Sequence, residues 1–176
     1  MLRSLGNVLY KYQGKESEVI ISENIVSITN WAFSNNKVIE QVIIQNEKCL
    51  VEEGSFYQCS NLKQIIGFSG NIGAFVFAYC KSLIHIPMKE VKQIGDYAFF
   101  KCEKLQRIDI RSADLGQCVF ADCINLQIVT GCPKSLGKGA FYNCALLHQI
   151  NLESTSRIDA LDRKSTRLNS SHRIRS

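Results

Sequence analysis

Phenylalanine recurs at Phe33, Phe56, Phe77, Phe99, Phe120 and Phe141, at intervals of 23, 21, 22, 21 and 21 residues. Nothing else in the chain narrows its possible folds as far, because other residues keep step with the ring. Three places after each Phe stand Asn36, Cys59, Cys80, Cys102, Cys123 and Cys144. Ile39, Leu62, Leu83, Leu105, Leu126 and Leu147 follow at six places, and Val42, Ile65, Ile86, Ile108, Val129 and Ile150 at nine. Five places before the rings stand Ile28, Val51, Ile72, Ile94, Leu115 and Leu136, the last four followed by Gly73, Gly95, Gly116 and Gly137. One motif, I-G-x-x-A-F-x-x-C-x-x-L-x-x-I-x-I, is therefore stated six times in a single register with few exceptions, among them Asn36 at the Cys position and Thr29 and Glu52 at the Gly position of the first two repeats. A period of about twenty residues marks a stacked repeat architecture.

Each position has a physical job. The L-x-x-I-x-I stretch ends in period-two alternation, which suits a half-buried strand with its Ile inward. A-F-x-x-C-x-x-L has the i, i+3 spacing of a short helical or 3₁₀ turn that sets Phe, Cys and Leu on one side. The I-G pair is a brief extended segment ending in a turn, where Gly admits φ > 0 or close backbone approach. One such coil cannot bury its own apolar face. Coils therefore stack, Phe over Phe and Leu over Leu, into a repeat solenoid.

The motif resembles the BspA-like class of leucine-rich repeats, over roughly Leu9 to Leu152. The expected fold class is a leucine-rich-repeat solenoid of stacked parallel β-strands joined by short helical or 3₁₀ turns. Residues 1–24 are read as an N-terminal cap and partial repeat, with "EVII" at the strand position. A hairpin around "QGKE" is expected there, with Leu9, Tyr10 and Tyr12 closing the first coil. Residues 25–152 hold six repeats of 21–23 residues. Residues 153–162 begin a seventh that breaks: Ile158 keeps its place, but Asp159 and Arg163 stand where Gly and Phe belong. Residues 163–176, "RKSTRLNSSHRIRS", carry no ladder residue and read as a disordered tail of foreign origin. An end without a polar cap is expected to expose the ladder around Phe141, Cys144 and Leu147 and to favour end-to-end self-association.

Charge and hydropathy remove several function classes. The net charge is +5, with 21 basic and 16 acidic residues. Arg163, Lys164, Arg167, Arg173 and Arg175 of the tail supply five of the basic ones, so the repeats are neutral. A basic tail on a neutral body argues against nucleic acid as a partner. No apolar run approaches the ~18 residues of a membrane span, and the first twenty residues lack a secretory apolar core. As written, the chain is expected in the cytoplasm. It is expected at the cell surface if it is a piece of a longer family member.

Eight cysteines raise the question of disulfides, metal or thiol chemistry. Five share one ladder position, where stacked side chains point parallel and reach the χ₃ near 90° of a disulfide with difficulty. No C-x-x-C pair offers zinc ligands. The ladder cysteines are thus expected to be small buried apolar groups, with Cys49, Cys118 and Cys132 off the ladder. His85 and His148 belong to strands about 14 Å apart, too far to share a metal or a proton. Gly-rich phosphate loops, H-E-x-x-H and G-x-S-x-G are absent. The expectation is a non-enzyme with no cofactor and no metal.

The resemblance implies that outward side chains of the strand sheet form a recognition surface. One column is Gln41, Gln64, His85, Arg107, Ile128 and Gln149, and a second is Ile43, Ile66, Pro87, Asp109, Thr130 and Asn151. The expected function is a protein–protein interaction module, adhesin-like or scaffolding. The family implies host matrix proteins among the kinds of partner. The alternative is a structural spacer, a few repeats within a longer cell-surface solenoid.

Overall fold

Alternating apolar and polar residues make the strands, and the fixed period brings them back side by side. The computed structural model describes residues 2–158. It begins with β1 (Leu2–Leu5), β2 (Val8–Tyr12), β3 (Glu18–Ile21), β4 (Ser27–Ile28), β5 (Gln41–Ile44) and β6 (Leu50–Val51). β7 (Gln64–Ile66), β8 (Gln93–Ile94), β9 (Arg107–Asp109), β10 (Asp114–Leu115), β11 (Ile128–Thr130), β12 (Ser135–Leu136) and β13 (Arg157–Ile158) follow. The described residues contain no helix, so no helix among them is long and apolar enough to cross a membrane.

Apart from the antiparallel pair β1–β2, the named strands pair in parallel, as expected of a solenoid. One wall contains β3–β5–β7 and β9–β11; the other contains β1–β2–β4–β6 and β8–β10–β12–β13. Register puts Val19, Val42 and Ile65 in line, and likewise Ile108 and Val129, all buried. Between the walls the six Phe rings stack, with successive centroids 4.9, 5.7, 5.4, 5.2 and 5.3 Å apart. That spacing is close to the ~4.8 Å of neighbouring strands. Ring stack and backbone ladder therefore share one period.

The A-F-x-x-C segment makes the i→i+3 bonds of the predicted 3₁₀ turn without forming a helix. Phe100 N–H donates to Tyr97 O at 3.1 Å, Cys102 to Phe99 at 3.1 Å, and Leu105 to Cys102 at 3.2 Å. Between these bonds the backbone turns left-handed, with φ of 56° at Tyr97 and 57° at Lys101. Every coil repeats this. Trp31, Gly54, Phe75, Tyr97, Cys118 and Gly139 are left-handed two places before the ring. Asn35, Gln58, Tyr79, Lys101, Asp122 and Asn143 are left-handed two places after it. In the turn from Phe99 to Cys102 the positive φ falls on the third residue, Lys101, and not on Phe100, which is the type II pattern. Each coil is therefore a staircase of separate turns, because a left-handed residue stops 3₁₀ winding from running on.

At the N-terminus the hairpin lies earlier than the sequence suggested, with β1 and β2 joined across Gly6 and Asn7. "QGKE" instead connects β2 to β3. Leu9 and Tyr12 are buried, and the Tyr12 ring stacks 5.0 Å from Phe33, extending the column by one. Tyr10 points outward and is half-exposed. The last full coil is also less open than expected. Phe141, Cys144 and Leu147 are only 6%, 8% and 6% exposed, against 0% for Phe99, Cys102 and Leu105. β13 pairs with β12 and carries the wall one coil further, to an exposed Ile158. The predicted disordered tail and the substitutions at Asp159 and Arg163 lie outside the described residues.

Candidate functional site

Period-two alternation sends Gln41, Gln64, His85, Arg107, Ile128 and Gln149 outward from the strand wall, but the structure does not join them in one unbroken row. Gln41 pairs with Gln64, Gln64 bridges to His85, Arg107 pairs with Ile128, and Ile128 bridges to Gln149. No bridge links His85 to Arg107. The wall therefore has two halves. The first is a hydrogen-bonded relay: Gln41 Nε2 donates to Glu18 Oε2 at 2.8 Å, and Gln64 Nε2 donates to Gln41 Oε1. Beside it Ile20, Ile43 and Ile66 align, the outer two exposed. Continuing this second column, Pro87 stands where Ile66 pairs with Ile43, and it has no N–H to give. Asp109 and Thr130 are paired and exposed, while Asn151 Oδ1 caps the turn by accepting Glu153 N–H at 2.9 Å.

Where the halves part, the wall holds an open depression of about 370 Å³. Its lining includes His85, Pro87 and Met88 of one coil, Arg107 and Arg111 of the next, and Ile128 of the one after. Arg107, Arg111 and His85 are exposed, and none of these side chains has a hydrogen-bond or ion-pair partner among the described residues. Asp109 also lines the depression, its Oδ1 accepting Arg111 backbone N–H at 3.0 Å. The sequence brought these residues into neighbouring columns. It gave no sign that the ladder opens between them, or that Arg111, outside either column, reaches the same place.

The cysteine ladder has a role beyond filling space. Each Sγ donates to the carbonyl of the preceding coil's Phe: Cys59 to Phe33 at 3.1 Å, Cys80 to Phe56 at 3.1 Å, and Cys102 to Phe77 at 3.2 Å. Cys123 and Cys144 do the same to Phe99 and Phe120, at 3.1 and 3.0 Å. Asn36, the odd member of the ladder, donates Nδ2 to Gly14 O at 3.4 Å and so plays the same part. All eight cysteines are free. Burial pushes the Cys59 and Cys144 thiols up to about 12 and raises those of Cys80, Cys102 and Cys123 well above the ordinary range. A thiol that stays protonated is neither nucleophile nor metal ligand. Among the described residues no three His, Cys, Asp or Glu side chains converge as a metal set.

A second surface was missed in the sequence. The left-handed positions turn Trp31, Phe75 and Tyr97 outward, where they meet Tyr57, Tyr79 and Phe100 in a chain of ring contacts 5.1–6.5 Å long per step. Lys101 Nζ lies 5.6 and 5.3 Å over the Tyr79 and Phe100 rings. The signal was present, as aromatics recurring two places before the ladder Phe. These rings spend their edges and faces on one another.

Three solved bacterial proteins share this architecture. A leucine-rich repeat protein of T. pallidum matches with a TM-score of 0.53 and 21% identity, over 88% of this chain and 75% of its own. One from Bacteroides ovatus matches with a TM-score of 0.58 and 20% identity, over 87% of this chain and 50% of its own. A leucine-rich cell surface protein of Faecalibacterium prausnitzii gives 0.57 and 22%, over 90% of this chain and 44% of its own. No curated protein matches. The family model for the BspA type leucine-rich repeat region finds six copies, over residues 2–69 and 70–165. With the motif, the coil geometry and this match in agreement, the chain belongs to the BspA-type leucine-rich repeat family.

Proposed function

We propose that this chain is a recognition segment that binds a protein partner through its strand wall. One observation carries the reading. The interior columns keep to one ring or to like apolar residues with a single polar exception, Asn36, whereas the outward column reads Gln, Gln, His, Arg, Ile, Gln and opens into a depression lined by apolar groups and by cations unpaired among the described residues. Side chains freed from packing duty, mixed in chemistry and placed around a concavity, are what a recognition surface needs. The F. prausnitzii relative is a cell surface protein by its name, and this chain spans half or less of that protein and of the B. ovatus one. Both facts support a segment of a longer surface solenoid, with host matrix proteins as the partner kind the family suggests. Its activity is recognition rather than catalysis.

The test is binding to a panel of immobilised, purified extracellular-matrix proteins by the wild type, by Arg107→Glu with Ile128→Asp, and by Lys92→Glu with Lys134→Glu near the opposite strand wall. The face pair is expected to lose about tenfold or more in affinity, and the control pair to lose nothing. Equal binding by all three overturns the reading and leaves these repeats as a spacer.

A further inference from the structure

We infer that the depression at the break in the strand wall is a docking site for an extended acidic peptide segment, its carboxylates seated on Arg107 and Arg111. This rests on the strand wall being the recognition face, and it adds the partner's chemistry. At the other steps along this wall an N–H of the later coil bonds a carbonyl of the earlier one: His85 to Lys63 O at 3.3 Å, Ile128 to Gln106 O at 3.2 Å, and Gln149 to Gln127 O at 3.2 Å. Arg107 has no such bond to Ile84. The coils still hold together inside, where Phe77 and Phe99 stack at 5.4 Å. Only the outer skin parts. The result is a shallow opening on the strand wall.

Charge selects the occupant. Three exposed lysines of the neighbouring coils have their acids: Lys63 with Glu40 at 2.6 Å, Lys81 with Glu103 at 2.8 Å, and Lys89 with Glu47 at 2.7 Å. Among the described residues the two guanidiniums in the depression have none, and the ring of His85, which also lines it, is unpaired as well. A planar guanidinium takes a carboxylate in two parallel hydrogen bonds, so a pair of them suits a partner with spaced acids. Pro87 and Ile128, both partly exposed, give apolar footing to the side chains between those acids. A sulfated polysaccharide fits less well. It has no use for the apolar wall.

The experiment uses the full chain and three fluorescent probes read by anisotropy at low and physiological salt. They are a heptapeptide alternating Val or Leu with Asp or Glu, its counterpart with Asn and Gln in place of the acids, and a heparin oligosaccharide. The acidic peptide is expected to bind at least tenfold more tightly than the amide one, and to weaken as salt rises. Arg107→Gln with Arg111→Gln should remove that preference, while Lys92→Glu with Lys134→Glu, near the opposite strand wall, leaves it intact. Equal affinity for acidic and amide peptides, lost on changing Ile128→Asp, sinks the charge proposal and leaves the strand wall as a binding face. Binding of the oligosaccharide alone reassigns the arginines to a glycan. If no probe binds, the docking site is refuted. If binding occurs but responds to no wall substitution, the wall reading falls with it.

Discussion

The Phe column and the strand column beside it run through the same coils, yet they use sequence in opposite ways. Inside, one ring type recurs at Phe33, Phe56, Phe77, Phe99, Phe120 and Phe141, each buried and about one strand spacing from the next. Outside, Gln41, Gln64, His85, Arg107, Ile128 and Gln149 share a position and almost no chemistry. The stack resists change of shape, because each of the four interior rings, Phe56 to Phe120, is packed on both sides by a copy of itself. Solvent imposes no such match on the outward column, so that column is free to carry recognition. The difference locates stability in one column and specificity in the other.

The largest test of that division is to remove a ring. Phe99→Ala opens a cavity between Phe77 and Phe120 and should cost about 3–5 kcal/mol. Phe141, with a ring on one side only among the described residues, should cost clearly less. Urea denaturation of the two variants reads the difference. Equal losses would mean that the column is not a propagating stack and that each coil holds its ring alone.

The thiol ladder sharpens the same comparison. If Cys102 were only a small apolar filler, serine there would bury an unwanted hydroxyl and destabilise more than alanine, by about 1–3 kcal/mol. As a donor to Phe77 O at 3.2 Å, it should instead tolerate serine at least as well as alanine. Denaturation of Cys102→Ser and Cys102→Ala decides it. The raised thiol pKa values also fix a pH dependence. A thiol whose folded pKa lies above its unfolded one near 9 stabilises fully below that value. Its contribution is lost as pH rises through the folded value of about 12 at Cys59 and Cys144. Unfolding should therefore grow easier from about pH 9 upward. At pH 8 a thiol reagent should find the half-buried Cys118 and Cys132 well before the six buried cysteines. Rapid reaction of all eight would show that the ladder is open.

What could be read from the sequence follows the same line. The stack, the parallel strands and the ladder positions were legible because one physical demand is repeated in every coil. The turns were half legible. Their i→i+3 bonds follow from spacing, but Trp31, Phe75, Tyr97 and Cys118 stand left-handed where no residue type announces it, and only Gly54 and Gly139 hint at it. The thiol donors were hidden because cysteine at a buried position serves equally as filler. Pro87 warned of a missing N–H, yet the wall opens on its other side, between His85 and Arg107, through a relation between two coils that neither coil's sequence states. Membership of the face was legible, and its depression was not.

The smallest expected effect is the most informative about the outward column. Arg107→Gln with Arg111→Gln breaks no ion pair and no side-chain hydrogen bond among the described residues. Exposed residues free of such features change stability by less than about 0.5 kcal/mol. Thermal and urea denaturation should therefore leave the double variant indistinguishable from the wild type. A gain in stability would show that the two like charges repel in the free protein, a strain relieved when an acidic partner binds, and would strengthen the division between columns. A loss of more than about 1 kcal/mol would place the arginines among the packing residues. The outward column would then share the work of the inward one, and its variety would need another explanation.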